Sequence, residues 1–215
     1  IMYHNIHLPL VSLSDILHNN VAICEQVNKL CRPLEHFTHY LQQGYYPFGV
    51  EGFATYNQRV ENTVELLLNI ELPQLRKVDI GNIRKLKALL SVLASEVPML
   101  VDTAKLSTLL GISRNTLLAY LEYLDEAKLI RRLYSDDLSV KKMQKPDKIL
   151  MDNCNLLKVL ALKEPNIGTL RETFFCNQLG YQHQVEYSKQ GDFLIDHQIT
   201  FEIGGQAKEG KQVAA

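Results

Sequence analysis

The sequence predicts a mainly helical α+β chain. Three observations carry that expectation: apolar residues recur at helical spacing over most of the first eighty positions, Gly111-Ile112-Ser113 stands between two helical runs, and the period drops to two after residue 184. Residues 6–13 read as extended and proline-interrupted, and Ser14 is placed to cap a helix carrying Ile16, Leu17, Val21 and Ile23. A second helix over 34–43 is ended by Gly44, with Pro47 beyond it as a turn signal. A third, over 57–72, sets Val60, Val64, Leu67 and Leu68 at core spacing. Few groups in this region could do chemistry. His36 and His39 stand three apart without a carboxylate companion, which is not the spacing of a metal site.

The middle of the chain is the most informative. Residues 83–93 form an amphipathic helix, Asp102 or Thr103 caps a short helix over 104–110, and Gly111 permits the left-handed exit that ends it. Ile112 plugs the angle between helices, and Ser113 caps a longer helix over 114–128 with Leu117, Leu118, Leu121 and Leu124 as its buried stripe. Arg114, Asn115, Thr116, Tyr120 and Tyr123 are then expected outward, where a major groove would meet them. Residues 129–134 read as a strand and 138–143 as its hairpin partner. Helices followed by a hairpin make a winged helix-turn-helix, expected over 81–147.

Beyond it, 149–151 reads as a short buried strand, and helices follow to residue 162 and over 170–179. Strands are expected at 185–187, 193–195 and 199–203, so 148–215 forms a small α/β unit. Glu172, Asp192 and Glu202 fall where three carboxylates could gather around a divalent ion for phosphodiester hydrolysis, the metal activating water.

Composition sets outer bounds. With 46% hydrophobic and 22% charged residues and a formal charge of -1, the chain is an ordinary globular one, and no global excess of charge argues for a polyanionic partner. Locally the balance differs: residues 82–148 hold twelve basic and eight acidic side chains. Arg131, Arg132, Lys141 and Lys142 on the expected ribbon are placed for phosphate contacts, and Glu122, Asp125 and Asp136 oppose them. Duplex DNA and a protein partner are therefore both open as ligands of this unit. The four cysteines suit buried free thiols in a reducing cytoplasm, with Cys24 and Cys31 at core spacing. No apolar run of membrane-spanning length occurs, so no membrane partner is expected. The opening Ile1-Met2-Tyr3-His4-Asn5 reads as an internal start.

Seven motifs occur in an order that resembles the C-terminal two thirds of a family of prokaryotic AAA+ type ATPases. They are Leu8-Pro9 before 12–17, the 40–47 run ending Gly44-Tyr45-Tyr46-Pro47, the helix-turn-helix closing over 124–130, 148–152, Arg171-Glu172-Thr173-Phe174-Phe175, Gly191-Asp192-Phe193-Leu194-Ile195 and Phe201-Glu202-Ile203-Gly204-Gly205. The resemblance implies that 1–80 is the helical lid region of such an ATPase, with Tyr46 and Pro47 near the adenine. It implies ATP and Mg in the parent protein and none bound to this chain alone, because no G-x-x-x-x-G-K-[ST] loop is present. It also implies that 148–215 is a restriction-endonuclease-like unit. Asp192 and Glu202 match the pattern of such nucleases, but Gly204 stands where their lysine should be, so a degenerate unit is expected. The expectation is a C-terminal regulatory and DNA-binding portion of an ATP-binding protein whose N-terminal core lies outside this chain, with a protein-interaction module as the alternative and a metal-dependent nuclease as a third.

Overall fold

A computed structural model describes residues 7, 10–76, 80–135 and 145–204. The chain is a mainly helical α+β protein, with two three-stranded sheets among the described residues. Helix α1 (Leu13–Leu30) begins two residues earlier than expected. Its cap is Ser12, not Ser14, because Ser12 accepts from the Asp15 N–H while the Asp15 carboxylate accepts from the Ser12 N–H, a reciprocal capping box. No residue of α1 is buried, and Cys24 is exposed, so its regular apolar spacing does not put it in a core. All four cysteines are free thiols.

Helices α2 (Pro33–Gln43) and α3 (Tyr56–Leu66) follow, joined by a 3-10 turn at Pro47–Glu51. Gly49 lies in that turn against Tyr56, and a Cβ there would stand 2.6 Å from the Gln43 carbonyl and 3.0 Å from the Tyr56 ring. The close approach lets the fully buried Tyr56 reach back toward α2. From α3 the chain runs through a π-helical turn (Leu67–Glu71) into α4 (Leu72–Arg76).

Helix α5 (Ile80–Glu96) buries Leu86, Leu89, Leu90 and Leu93 on one stripe. After β1 (Met99–Leu100) come α6 (Thr103–Leu110) and α7 (Arg114–Glu126), separated by Gly111 at φ 58°, ψ 44°. That left-handed conformation strains residues bearing a Cβ, which is why glycine ends α6. Strand β2 (Ile130–Leu133) pairs antiparallel with β3 (Lys148–Met151), which pairs antiparallel on its other side with β1. The hairpin partner expected at 138–143 lies outside the described residues, and among the described residues β2 pairs with the strand that begins at Lys148. Every residue of β3 is buried, as befits the central strand of a sheet covered on both faces.

Helix α8 (Cys154–Leu160) is capped by Asn153 and packs against α2, α3 and α5. Helix α9 (Ile167–Leu179) leads to the meander β4 (Val185–Tyr187), β5 (Phe193–Ile195), β6 (Ile199–Phe201), close to the expected strand positions. A parallel bridge, Ser135 to Tyr187, joins the two sheets. A single apolar cluster runs from Leu41 through α3, α5, α6, α7 and β3 to Leu170, and a smaller one (Leu133, Leu150, Cys176, Phe193, Ile195) lies beneath the meander. Burial pushes the Cys176 thiol up to about 12. Among the described residues no helix is long and apolar enough to cross a membrane.

Candidate functional site

Two places among the described residues are candidates, each gathering polar groups from several elements. The first is the face made by α6 and α7. Asp102 caps α6, its carboxylate accepting from the Ala104 and Lys105 N–H groups at 3.0 Å. Ser113 caps α7 in the same way, accepting from Thr116 at 3.1 Å. Lys85 donates to the Gly111 carbonyl at 2.8 Å, tying α5 to the turn. Beside the turn lies an open groove of about 510 Å³ lined by Thr103, Ser107, Thr108, Gly111, Ile112 and Arg114. Arg114, which lines it, is exposed, as are Asn115 and Lys105, and Thr116 is half-buried.

Sequence and structure part company further along α7. Tyr120, expected outward, is 4% exposed and belongs to the buried stripe with Leu117, Leu121 and Leu124, while Leu118 is half-buried. Positions 117, 120, 121 and 124 follow the 3.6-residue period, and choosing Leu118 over Tyr120 turns the helix by a wrong step. The rest of the outward face is acidic or covered. Glu122 is exposed, Glu126 is ion-paired with Arg76, and the Arg76 guanidinium lies 5.5 Å from the Tyr123 ring.

Arg131 and Arg132, read from sequence as phosphate contacts, face inward partners. Arg132 Nε donates to Asp125 at 3.1 Å and Arg131 Nε to Asp152 at 3.0 Å. Lys141 and Lys142 lie outside the described residues. The carboxylates read as a metal set do not form one: among the described residues no three His, Cys, Asp or Glu side chains are arranged to hold a metal. Glu172 instead pairs with the buried Lys148 at 2.6 Å, and Asp192 accepts from the Ile203 N–H at 2.6 Å. Glu202 is exposed.

The second place is a buried polar hub that sequence reasoning missed. Asn155, fully buried, donates to the Tyr40 and Leu41 carbonyls at the end of α2 and accepts from the Tyr45 N–H and the Tyr56 hydroxyl. Next to it the Asp152 carboxylate accepts from Arg131, Tyr45 and Asn153. Tyr45 also meets the Tyr181 hydroxyl, and Asn177 donates to the Asp152 carbonyl at 2.9 Å. Burial raises Tyr46 to about 12 and raises Tyr45 as well, so both phenols stay protonated. The only advance signal was the polar run Asp152-Asn153-Cys154-Asn155 directly after an apolar strand.

Between the hub and α3 is a cleft of about 240 Å³ whose walls include Tyr46. Pro47 is exposed and does not line it. The described residues do not fit ATP and Mg: the cleft walls are mostly apolar, and among the described residues no acid trio accompanies them.

A family described as "Domain of unknown function (DUF8612)" matches residues 34–166, which is 133 of the 215 residues. The chain belongs to that family. The matched stretch runs from α2 to the start of α9 and so takes in the helix-turn-helix and most of the hub. The chain is also similar to Uncharacterized protein MJ1637 of Methanocaldococcus jannaschii, 25% identical over 194 residues. That alignment covers 81% of this chain and 41% of the relative, so the chain spans less than half of its length. No solved structure matches.

The cap of α6 yields a pH prediction. Hydrogen bonds from the backbone N–H groups of Lys105 and Ala104 hold the Asp102 carboxyl below the usual carboxylate range. A depressed folded-state pKa contributes stability above the unfolded value and loses it as pH falls through the folded one. Asp102→Asn is therefore expected to narrow its stability deficit to the parent as pH is lowered from 6 toward 3, read as Tm at each pH.

Proposed function

We propose that this DUF8612 chain is the C-terminal regulatory portion of a longer AAA+ type ATPase and that its α5–α7 and β1-β3-β2 unit is a winged helix-turn-helix that binds duplex DNA. On this reading α1–α4 form the helical lid region, and α9 with β4–β6 is a degenerate restriction-endonuclease-like unit in which Gly204 replaces the expected lysine. The observation that carries the DNA reading is the first turn of α7. The left-handed Gly111 and the Ser113 cap leave Arg114 and Asn115 exposed, Arg114 on a hydroxyl-lined groove, with Lys105 exposed in the first turn of α6. A helix N-terminus flanked by cations and hydroxyl donors suits a phosphate backbone. The ordered motifs that resemble the ATPase family support the parentage, and the four free thiols support a cytoplasmic setting.

A protein partner is the second reading. It is favoured by the inward pairing of Arg131 and Arg132 and by the cover that Arg76 places over α7, which leave few cations for phosphate.

Titration of a fluorescent 20-base-pair duplex at several salt concentrations between roughly 50 and 200 mM separates the two. Salt-weakened binding is expected, with Arg114→Ala and Lys105→Ala each lowering the slope of log K against log salt by about one. Binding indifferent to salt, or none, transfers the α6–α7 face to a protein partner.

A further inference from the structure

We propose that the cleft between α3, the turn at 45–48 and the corner joining α7 to β2 binds a small ligand with a flat apolar ring and one anionic group. Its volume of about 240 Å³ falls just under the ~300 Å³ lower end of pockets for drug-sized ligands, which suits one bicyclic ring with a substituent. Val60, Val64 and Leu67 form one wall, and Leu129 closes the opposite side. Tyr46 and Phe48 complete the lining with rings held parallel, 2° apart and 5.4 Å between centroids.

Charge gives the cleft a direction. Asp152 lies at its buried end, already engaged by Arg131 and Tyr45, and repels an anion there. Lys128 stands at the exposed end, and among the described residues its ammonium has no hydrogen-bond or ion-pair partner. A ligand therefore enters ring first and leaves its anionic group at Lys128.

Two backbone irregularities meet at this cleft. Lys128 follows α7 at φ 56°, in a closing turn where the Leu129 N–H bonds back to the Leu124 carbonyl at 2.9 Å. Glycine commonly fills that place because a side chain carries a conformational cost there, so a lysine at the mouth of a cavity calls for a role beyond packing. On the other wall Leu67 opens the π-helical turn Leu67–Glu71, a widening that recurs at functional sites.

The 215-residue chain is titrated with 1-naphthoate, neutral 1-naphthamide and cationic 1-naphthylmethylamine, read by amide chemical shifts at Thr63, Leu67 and Leu129. Naphthoate is expected to bind about fivefold tighter than the amide, the upper end for a part-exposed ion pair, and the amine weakest. Lys128→Met should abolish the naphthoate advantage while leaving amide binding intact. Lys128→Gly should raise Tm by relieving the left-handed lysine and lose the same advantage, giving a more stable protein that discriminates less. Absence of shifts at the three reporters with all probes, equal affinities, or an advantage that survives Lys128→Met would overturn the proposal. Because none of these readouts involves DNA, the outcome is independent of the duplex titration.

Discussion

Replacing Asn155 by alanine is expected to lower the unfolding free energy by about 4 kcal/mol, a large part of the roughly 5–15 kcal/mol that holds a domain folded. Asn155 is fully buried at the start of α8 and serves four groups from sequence-distant places. Its amide donates to the Tyr40 carbonyl at 3.1 Å and the Leu41 carbonyl at 2.9 Å, acceptors that the last turn of α2 cannot all satisfy by itself. Its oxygen accepts from the Tyr45 N–H at 2.8 Å and from the Tyr56 hydroxyl. Alanine strands the Leu41 carbonyl and the Tyr45 N–H and takes the acceptor from the Tyr56 hydroxyl, while the Tyr40 carbonyl keeps the Gly44 N–H at 2.9 Å; each stranded buried group costs about 1–3 kcal/mol before relaxation. The controls separate hydrogen bonding from packing. Asn155→Leu keeps the volume and restores nothing, so it should be no better than alanine. Asn155→Asp keeps the acceptors but turns a carboxylate toward two carbonyls, so it should also be severe. Equilibrium urea unfolding with an unchanged m-value reads all three, and an Asn155→Leu protein within about 1 kcal/mol of the parent would show that packing, not the hub, joins α2 to α8.

The same residue marks the limit of what the sequence disclosed. Helices at 34–43 and 83–93, the Gly111-Ile112-Ser113 turn and the strands at 185–187 and 193–195 were legible because each rests on local signals: apolar period, capping oxygen, glycine exit. The α1 cap was missed by two residues because Ser12 and Ser14 both qualify, and only the reciprocal bond with Asp15 selects between them. Tyr120 was misplaced for a different reason. Leu118 and Tyr120, two positions apart, straddle the edge of the buried stripe, and hydropathy favours the leucine while the geometry of packing buries the tyrosine. Arg131 and Arg132 were cations on an expected ribbon, but their carboxylate partners lie 21 and 7 positions away, a pairing no local pattern reports. Asn155 binds residues 99 to 115 positions away, so apolar period carried nothing of the hub it anchors.

Arg131→Met is expected to cost about 3–5 kcal/mol, because it leaves the Asp152 carboxylate buried without its cation. The two members of the pair differ in what they can do when the other is lost. The Asp152 side chain is 2% exposed and cannot reach water, whereas that of Arg131 is 18% exposed and extends over the Tyr181 ring toward solvent. Asp152→Leu should therefore cost less than Arg131→Met, since the freed guanidinium can move outward. The double variant should recover most of the loss, because two apolar side chains replace a charged pair without stranding either ion. Urea unfolding of the four proteins gives the coupling directly, and an Arg131→Met protein within about 1 kcal/mol of the parent would mean that Asp152 finds water or another cation. The result also bears on the DNA reading. A loss of duplex affinity in an Arg131 variant would follow from damage to the hub as readily as from a lost phosphate contact, whereas Arg114 and Lys105 stand exposed and make no bond to the hub. Arg114 and Lys105 therefore report on the α6–α7 face without disturbing what holds it.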